Sequence, residues 1–282
     1  MSSRQSPQAA PRARLLGADV DLVTSAQVLT FVAGAAEAGR KAIVANHNLH
    51  SLHLVRKNRD MAVFFDLADL VEIDSMPLIY WGKALGLPVK SAHRCTYLDW
   101  RHDFWAIAAQ RGWRVFYLGG APGVAEEAAA RLTRQWPGVQ IATHDGYFDH
   151  EVGSAANTAV LEQINAFQPH VVMVGMGMPI QERWITRNYE SLASGVVLSV
   201  GAAFDYEAGV QTPAPRLLGV LGLEWLFRLA QQPHRLFRRY LVEPWSLIAP
   251  AMSDIDRYVL GRKINAVEST PCLAGEAPRA AA

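Results

Sequence analysis

Six short apolar runs in the middle of the chain each end in small or polar residues and each give way to a segment with helical spacing. They are KAIVAN (41–46), LVEI (70–73), RVFYLGG (114–120), VQIATHDGYF (139–148), HVVMVGMGMP (170–179) and GVVLSVGAAFD (195–205). Four to eight aliphatic residues with little polar alternation read as a strand covered on both faces. Strands of this kind alternating with helices such as PGVAEEAAARLTRQW and QERWITRNYE predict an α/β fold, a Rossmann-like parallel sheet with helices on both faces.

The rest of the chain is arranged around that core. Residues 1–14 read as a flexible Pro/Ala/Arg arm, 15–214 as the catalytic core, 215–262 as a C-terminal helical appendage and 263–282 as a flexible tail. A chain of 282 residues can bury a substantial core. No stretch approaches the ~20 apolar residues that a membrane span requires, and the first residues lack the apolar run of a signal peptide. Cys95 and Cys272 are far apart and fit no metal spacing, as expected for free thiols in a reducing compartment. The net charge of +1 gives no reason to expect nucleic acid as a partner.

In open α/β sheets, ligands bind beyond the carboxyl ends of the strands, where loops meet helix N-termini. Asn46, Asn48, Asp74, Gly119, Gly120, Asp145, the turn Gly177 to Gln181 with Pro179, and Asp205 all fall at such places. LGGAPG (118–123) and VGMGMP (174–179) each follow a strand and precede a helix. Either is a tight turn or a cradle of amides for a phosphate. Neither is a GxGxxG fingerprint or a Walker loop. Asp74, in VEIDSMPL, is either a helix N-cap or a carboxylate able to take a proton from a hydroxyl nucleophile. Two Asp-x-Asp pairs occur, Asp19/Asp21 and Asp254/Asp256. They read as solvated boundary and helix-face residues, and no histidine spacing suits a metal, so neither metal nor other cofactor is expected.

The segment GLEWLFRLAQQPHRLFRRYL (222–241) mixes arginines with large apolar side chains. Pro233 predicts the end of one helix near Gln232 and the start of another. On the second, Arg235, Arg238 and Arg239 share a face at helical spacing. Arginine beside aromatic and aliphatic groups suits a helix lying on an anionic membrane, and it is also the fork that best grips a diphosphate. The apolar faces leave a membrane surface or a second copy of the chain as covers.

Several segments, in order, resemble the WecG/TagA/CpsF family of bacterial glycosyltransferases: ADLVEIDSMPL, HRCTYLDW, VFYLGGAPGV, DGYF, GMGMPIQE, VGAAFDYEAG and GLEWLFRLAQQPHRLFRRYL. NLHSLHL, IDSMPL and TYLDW are most similar to the GumM-like branch that extends lipid-linked repeat units of exopolysaccharides. The resemblance implies transfer, with inversion, from a UDP-sugar donor to a polyprenyl-diphosphate-linked saccharide, by a protein attached peripherally to the inner face of the cytoplasmic membrane. The branch resemblance implies a hexose donor, read as glucose; the family at large implies N-acetylmannosamine on lipid-linked N-acetylglucosamine as the alternative. It implies Asp74 as catalytic base, Gln181 and Glu182 in the active-site turn, Arg94 and Asp99 as substrate contacts, and Arg228, Arg235 and Arg238 as the appendage arginines that offset the leaving diphosphate. Asn46, Ser75, Tyr97 and Pro213 depart from the family pattern, in positions read as pocket walls that set sugar choice. A nicotinamide- or S-adenosylmethionine-dependent Rossmann enzyme explains the sheet but not the Arg/aromatic tail. A non-catalytic membrane adaptor has no use for Asp74 together with Gln181.

Overall fold

The computed structural model describes residues 10–215, 218 and 222–259, without the side chain of Arg235. Its centre is a six-stranded, wholly parallel sheet in the order β4-β3-β8-β7-β5-β6. The strands are β3 (Ala42–His47), β4 (Leu70–Ile73), β5 (Arg114–Gly119), β6 (Gln140–His144), β7 (Val171–Gly175) and β8 (Val196–Ser199). All six apolar runs form strands.

Period-two alternation sorts each central strand between two cores. Val115 and Tyr117 of β5, with Val171 and Met173 of β7, face a layer built from α1 (Ser25–Glu37), α5 (Tyr97–Gln110), α6 (Val124–Gln135) and α9 (Ala203–Glu207). Phe116, Leu118, Val172 and Val174 face the opposite layer. That layer contains α3 (Arg59–Leu67), α4 (Met76–Ala84), α7 (Ala155–Phe167) and α8 (Ile180–Asn188). Double coverage explains why these strands read as continuous apolar runs.

Strands β1 (Arg12–Leu15) and β2 (Ala18–Asp21) form an antiparallel hairpin outside the main sheet, and β1 begins inside the stretch read as an arm. Its hydrophobic pattern is hidden by charges that the fold pairs: Arg12 Nε donates to Asp21 at 2.6 Å, and Arg14 to Asp19 at 3.1 Å. The reading of both Asp-x-Asp pairs as solvated fails at two residues. Asp21 is buried and its other oxygen accepts the backbone N–H of Val71 at 2.8 Å, satisfying the outer edge of β4. Asp254 is buried too, accepting from the Leu16 amide at 2.6 Å and Trp81 Nε1 at 2.9 Å. Both aspartates hold the structure together, because a buried carboxylate needs such donors.

Beyond Gly222 come α10 (Glu224–Gln231), α11 (Pro233–Phe237), a π-helical turn (Arg238–Val242), a 3₁₀ turn (Glu243–Leu247) and α12 (Ile248–Tyr258). The helix break at Gln232/Pro233 is where proline requires it. Through Asp254, α12 is pinned to the β1–β2 hairpin and to α4. Among the described residues no helix is long and apolar enough to cross a membrane.

Candidate active site

Asp74 follows β4, its N–H donating to His47 O at 2.9 Å. The capping role is not its own: the N-cap of α4 is Ser75, which makes no side-chain cap bond. Its Oγ is buried without a hydrogen-bond partner among the described residues. Asp74 instead lines a cleft with Asn48, His50, Arg94, Thr96, Arg228 and Arg239. Asn48 caps helix α2 (Leu49–Val55) by accepting from the His50 and Ser51 amides, and turns its Nδ2 to Asp74 Oδ2 at 3.3 Å.

Burial pushes the Asp74 carboxyl upward and Glu224 adds to the rise, bringing it to about 6 once every neighbour is counted. Arg228, the Asn48 hydrogen bond and Arg239 pull the other way. A carboxylate poised near 6 is still largely ionised at neutral pH and more basic than a free aspartate, which is what proton abstraction from a sugar hydroxyl needs. Two residues back on the same strand face, Glu72 is buried with Oε2 unpartnered among the described residues. Burial, then the nearby Asp74 and Asp99, raise its carboxyl well above the usual range.

The cations opposite Asp74 come from the appendage. Arg228 donates to Tyr206 Oη and Glu224 Oε1, both at 2.7 Å. Burial works against its charge, but Tyr206, Glu224 and Asp74 outweigh it and keep the guanidinium firmly protonated. Arg94 bridges Glu224 at 3.4 Å and Asp99 at 2.9 Å, so Asp99 braces the cleft wall while also capping α5 through Thr96.

Arg239, not Arg238, is the second appendage arginine in this cleft. Adjacent residues of a helix point about 100° apart, so the two cannot both face the cleft. Within the π-helical turn Arg238–Val242, Arg238 is exposed and Arg239 is the one turned inward. Arg239 Nε is buried with no hydrogen-bond partner among the described residues, and its desolvation lowers the guanidinium's basicity. The side chain of Arg235 lies outside the described residues.

The remaining sequence-predicted residues gather at a second place. β5 leads rightward to β6 and β7 leftward to β8, so neighbouring β5 and β7 form the topological switch point at which such sheets bind ligands. Both glycine turns sit there. Gly119 pairs with Gly175, and a Cβ on Gly119 would come within 2.4 Å of Gly175 O. Gly120 and Gly177 have φ of +74° and +80°, and the Gly146 amide donates to Gly120 O at 3.0 Å. Asp205 borders Gly120, and Asp145 turns its own loop by accepting from the Tyr147 amide at 2.7 Å.

Past the cis peptide Met178–Pro179, Gln181 is buried. Its Oε1 accepts from the Gly177 amide at 3.1 Å and its Nε2 donates to Glu182 at 2.7 Å. Both ends of this amide brace the turn. Glu182 is fully buried with Oε2 unpartnered among the described residues, and burial raises it to about 7. Arg239 acts electrostatically on both Glu182 and Asp74, linking the two places.

Of the positions read as sugar-selecting walls, only Ser75 borders the Asp74 cleft. Asn46 is spent on Ser199, donating to its carbonyl at 2.7 Å. Tyr97 is a core residue hydrogen-bonded to Glu207 and Trp105. Pro213 borders a neighbouring hollow. His47 is likewise structural, stacked on Phe65 and held neutral by burial. Sequence reasoning did not single out Arg239, His50, Glu224 or Tyr206 as site residues; Arg239 stood in the arginine cluster, and the other three in the quoted segments NLHSLHL, GLEWLFRL and VGAAFDYEAG. Among the described residues, no group of three or more His, Cys, Asp or Glu is arranged to hold a metal.

The model of the glycosyl transferase WecG/TagA/CpsF family matches residues 13–257. A Staphylococcus aureus (strain MW2) protein named N-acetylglucosaminyldiphosphoundecaprenol N-acetyl-beta-D-mannosaminyltransferase is 27% identical over 234 residues, covering 79% of this chain and 86% of its own. The protein of the same name from strain NCTC 8325 / PS 47 is 27% identical over 224 residues, covering 76% and 82%. A match spanning both the sheet and the appendage settles the lineage: the chain belongs to the WecG/TagA/CpsF family of glycosyltransferases.

Proposed function

We propose that this protein transfers a sugar, with inversion, from a UDP-sugar to a saccharide carried on a polyprenyl diphosphate. The observation that carries the reading is the cleft in which Asp74 of the core meets Arg228 and Arg239 of the appendage. Asp74 takes the proton of the acceptor hydroxyl as that oxygen attacks the donor's anomeric carbon. The bond from that carbon to the diphosphate breaks on the opposite face, and UDP departs with the electron pair. Negative charge then grows on the diphosphate, and Arg228 and Arg239, already desolvated, are placed to offset it. The glycine turns at the switch point form the nucleotide end of the site, where backbone amides suit phosphate.

N-acetylmannosamine is the preferred donor sugar, and lipid-linked N-acetylglucosamine the acceptor. The names of the relatives favour this pair over the glucose suggested by branch resemblance. The four departures from the family pattern do not count against this pair, since three of them lie away from the Asp74 cleft. The apolar outer face of the appendage would rest on the membrane that holds the acceptor, which corresponds to peripheral attachment at the cytoplasmic face.

The test is UDP release from UDP-N-acetylmannosamine, UDP-glucose and UDP-N-acetylglucosamine with a polyprenyl-diphosphate-N-acetylglucosamine acceptor. Fastest release is expected with the first. Faster turnover of UDP-glucose would reinstate the hexose reading, and acceptor-dependent release from none would overturn the UDP-sugar assignment.

A further inference from the structure

Helix α2 touches both halves of the active site. At its N-cap, Asn48 donates to Asp74. One turn along, His50 Nδ1 lies 2.5 Å from Glu243 Oε2, and three residues later His53 Nδ1 lies 2.7 Å from Ser246 Oγ. The Ser246 hydroxyl donates to Glu243 O at 2.7 Å, so its oxygen is left to accept from His53, and the Glu243 carboxylate accepts from His50. Glu243 and Ser246 belong to the 3₁₀ turn that directly follows the π-helical turn carrying Arg239. Both side-chain pairs are half-buried, where geometry is held more firmly than at the surface. Locally, Arg239 approaches the ring of the adjacent Tyr240, 5.8 Å from guanidinium carbon to ring centre, while its buried Nε has no hydrogen-bond partner among the described residues.

We propose that His50 and His53 are positioning residues: spaced i, i+3 on α2, they fasten the Glu243–Ser246 turn and so hold Arg239 in register with Asp74, the base that the same helix orients through Asn48. Core carboxylate and appendage cation are thereby aligned by one two-turn helix. The inference rests on the reading of Asp74 and Arg239 given under Proposed function. The groups facing His50 are Arg239, Glu243 and His53; those facing Asp74 are Arg228, Glu224, Arg239 and Glu72.

The experiment uses the full chain with His50→Ala, His50→Asn, His53→Ala, Arg239→Ala and the His50→Ala/Arg239→Ala pair. UDP release from UDP-N-acetylmannosamine with lipid-linked N-acetylglucosamine is one readout, and hydrogen exchange over residues 238–247 is a second that needs no turnover. A displacement of about 1 Å at a reacting group can cost about 10²-fold. His50→Ala should therefore lower kcat by about 10- to 100-fold, with donor KM within about twofold. Its acid limb should move to higher pH, because Asp74 loses part of the Arg239 field that holds its carboxyl down. Asparagine, whose Nδ2 can stand where His50 Nδ1 stood, should restore most of kcat and of the exchange protection. The pair should be no slower than Arg239→Ala alone.

Wild-type kcat and unchanged exchange in His50→Ala, with Arg239→Ala impaired, would overturn the inference and leave the site reading intact. Failure of asparagine to rescue, with melting temperature falling in both His50 variants, would show a merely structural role and also overturn it. Unimpaired turnover in Arg239→Ala and Asp74→Asn would instead remove the site reading itself.

Discussion

The sheet and the appendage use the same residue types in opposite ways. Strands β5, β7 and β8 bury their aliphatic side chains between two helical layers. Between Leu223 and Val259 the chain instead leaves Phe237, Leu241, Trp245, Ile248 and Met252 exposed, Trp245 at 71%. On its inner side the appendage supplies what the core lacks: Arg228 and Arg239 for the Asp74 cleft, and Asp254 for the unpaired Leu16 amide. The core covers its sheet on both faces, yet in the proposed site it takes its cations from the appendage. The appendage has its inner groups engaged and its outer face exposed, the face that in the proposed reading meets a membrane.

The sharpest way to break this contrast is at the base. Asp74→Asn should lower turnover by about 10²–10⁴-fold. It should also stabilise the fold. The native carboxyl sits at about 6, above its ordinary 3.8, so the folded state holds the proton more tightly than the unfolded state. That contribution is present at low pH and is lost as pH rises through the interval from 3.8 to about 6. At pH 7 the asparagine variant should be more stable by about 3 kcal/mol, read from denaturant or thermal unfolding. Lower stability together with wild-type turnover would show that Asp74 is a structural residue.

Next in size is the comparison of adjacent arginines. Arg239→Ala should slow turnover about 10²–10³-fold by removing a desolvated cation from the cleft, whereas Arg238→Ala, at an exposed position, should stay close to wild type. Equal losses would mean that the π-helical turn does not select between them. Smallest are the packing effects. Phe204→Ala, at a fully buried ring edge-on to Tyr117, should cost about 3–5 kcal/mol of stability. Trp245→Ala should change stability by no more than about 0.5 kcal/mol and instead weaken sedimentation with anionic vesicles. Binding by the wild type should fall as salt rises; salt-independent binding would count against a basic, surface-lying appendage.

These contrasts also mark how far the sequence could be read. The parallel sheet was legible because strands covered on both faces leave uninterrupted apolar runs, and Asp74 stood out at the end of one. The β1–β2 hairpin was not, because RARL and ADVD look polar until Arg12 meets Asp21 and Arg14 meets Asp19. Arg239 was overshadowed by Arg238 because spacing alone groups both with Arg235, while only the packing of the appendage on the core decides which of two neighbours turns inward. Asn46 stands near the end of β3 and Gln181 in the first turn of α8, but their side-chain amides are engaged within the protein, by the Ser199 carbonyl and by the Gly177 amide and Glu182 carboxylate. Position at a strand end says nothing about where a side chain spends its hydrogen bonds. The two histidines of α2 stood in NLHSLHL, read there only for its branch resemblance; nothing local pointed to their role, since their partners lie 193 residues away.

The most direct test of the central claim, that a core carboxylate and an appendage guanidinium act on each other in one cleft, is the pH dependence of kcat/KM in the wild type and in Arg239→Ala. An acid limb near 6 is expected in the wild type, displaced to higher pH in Arg239→Ala. A limb that stays in place without Arg239, or that persists unchanged in Asp74→Asn, would contradict it.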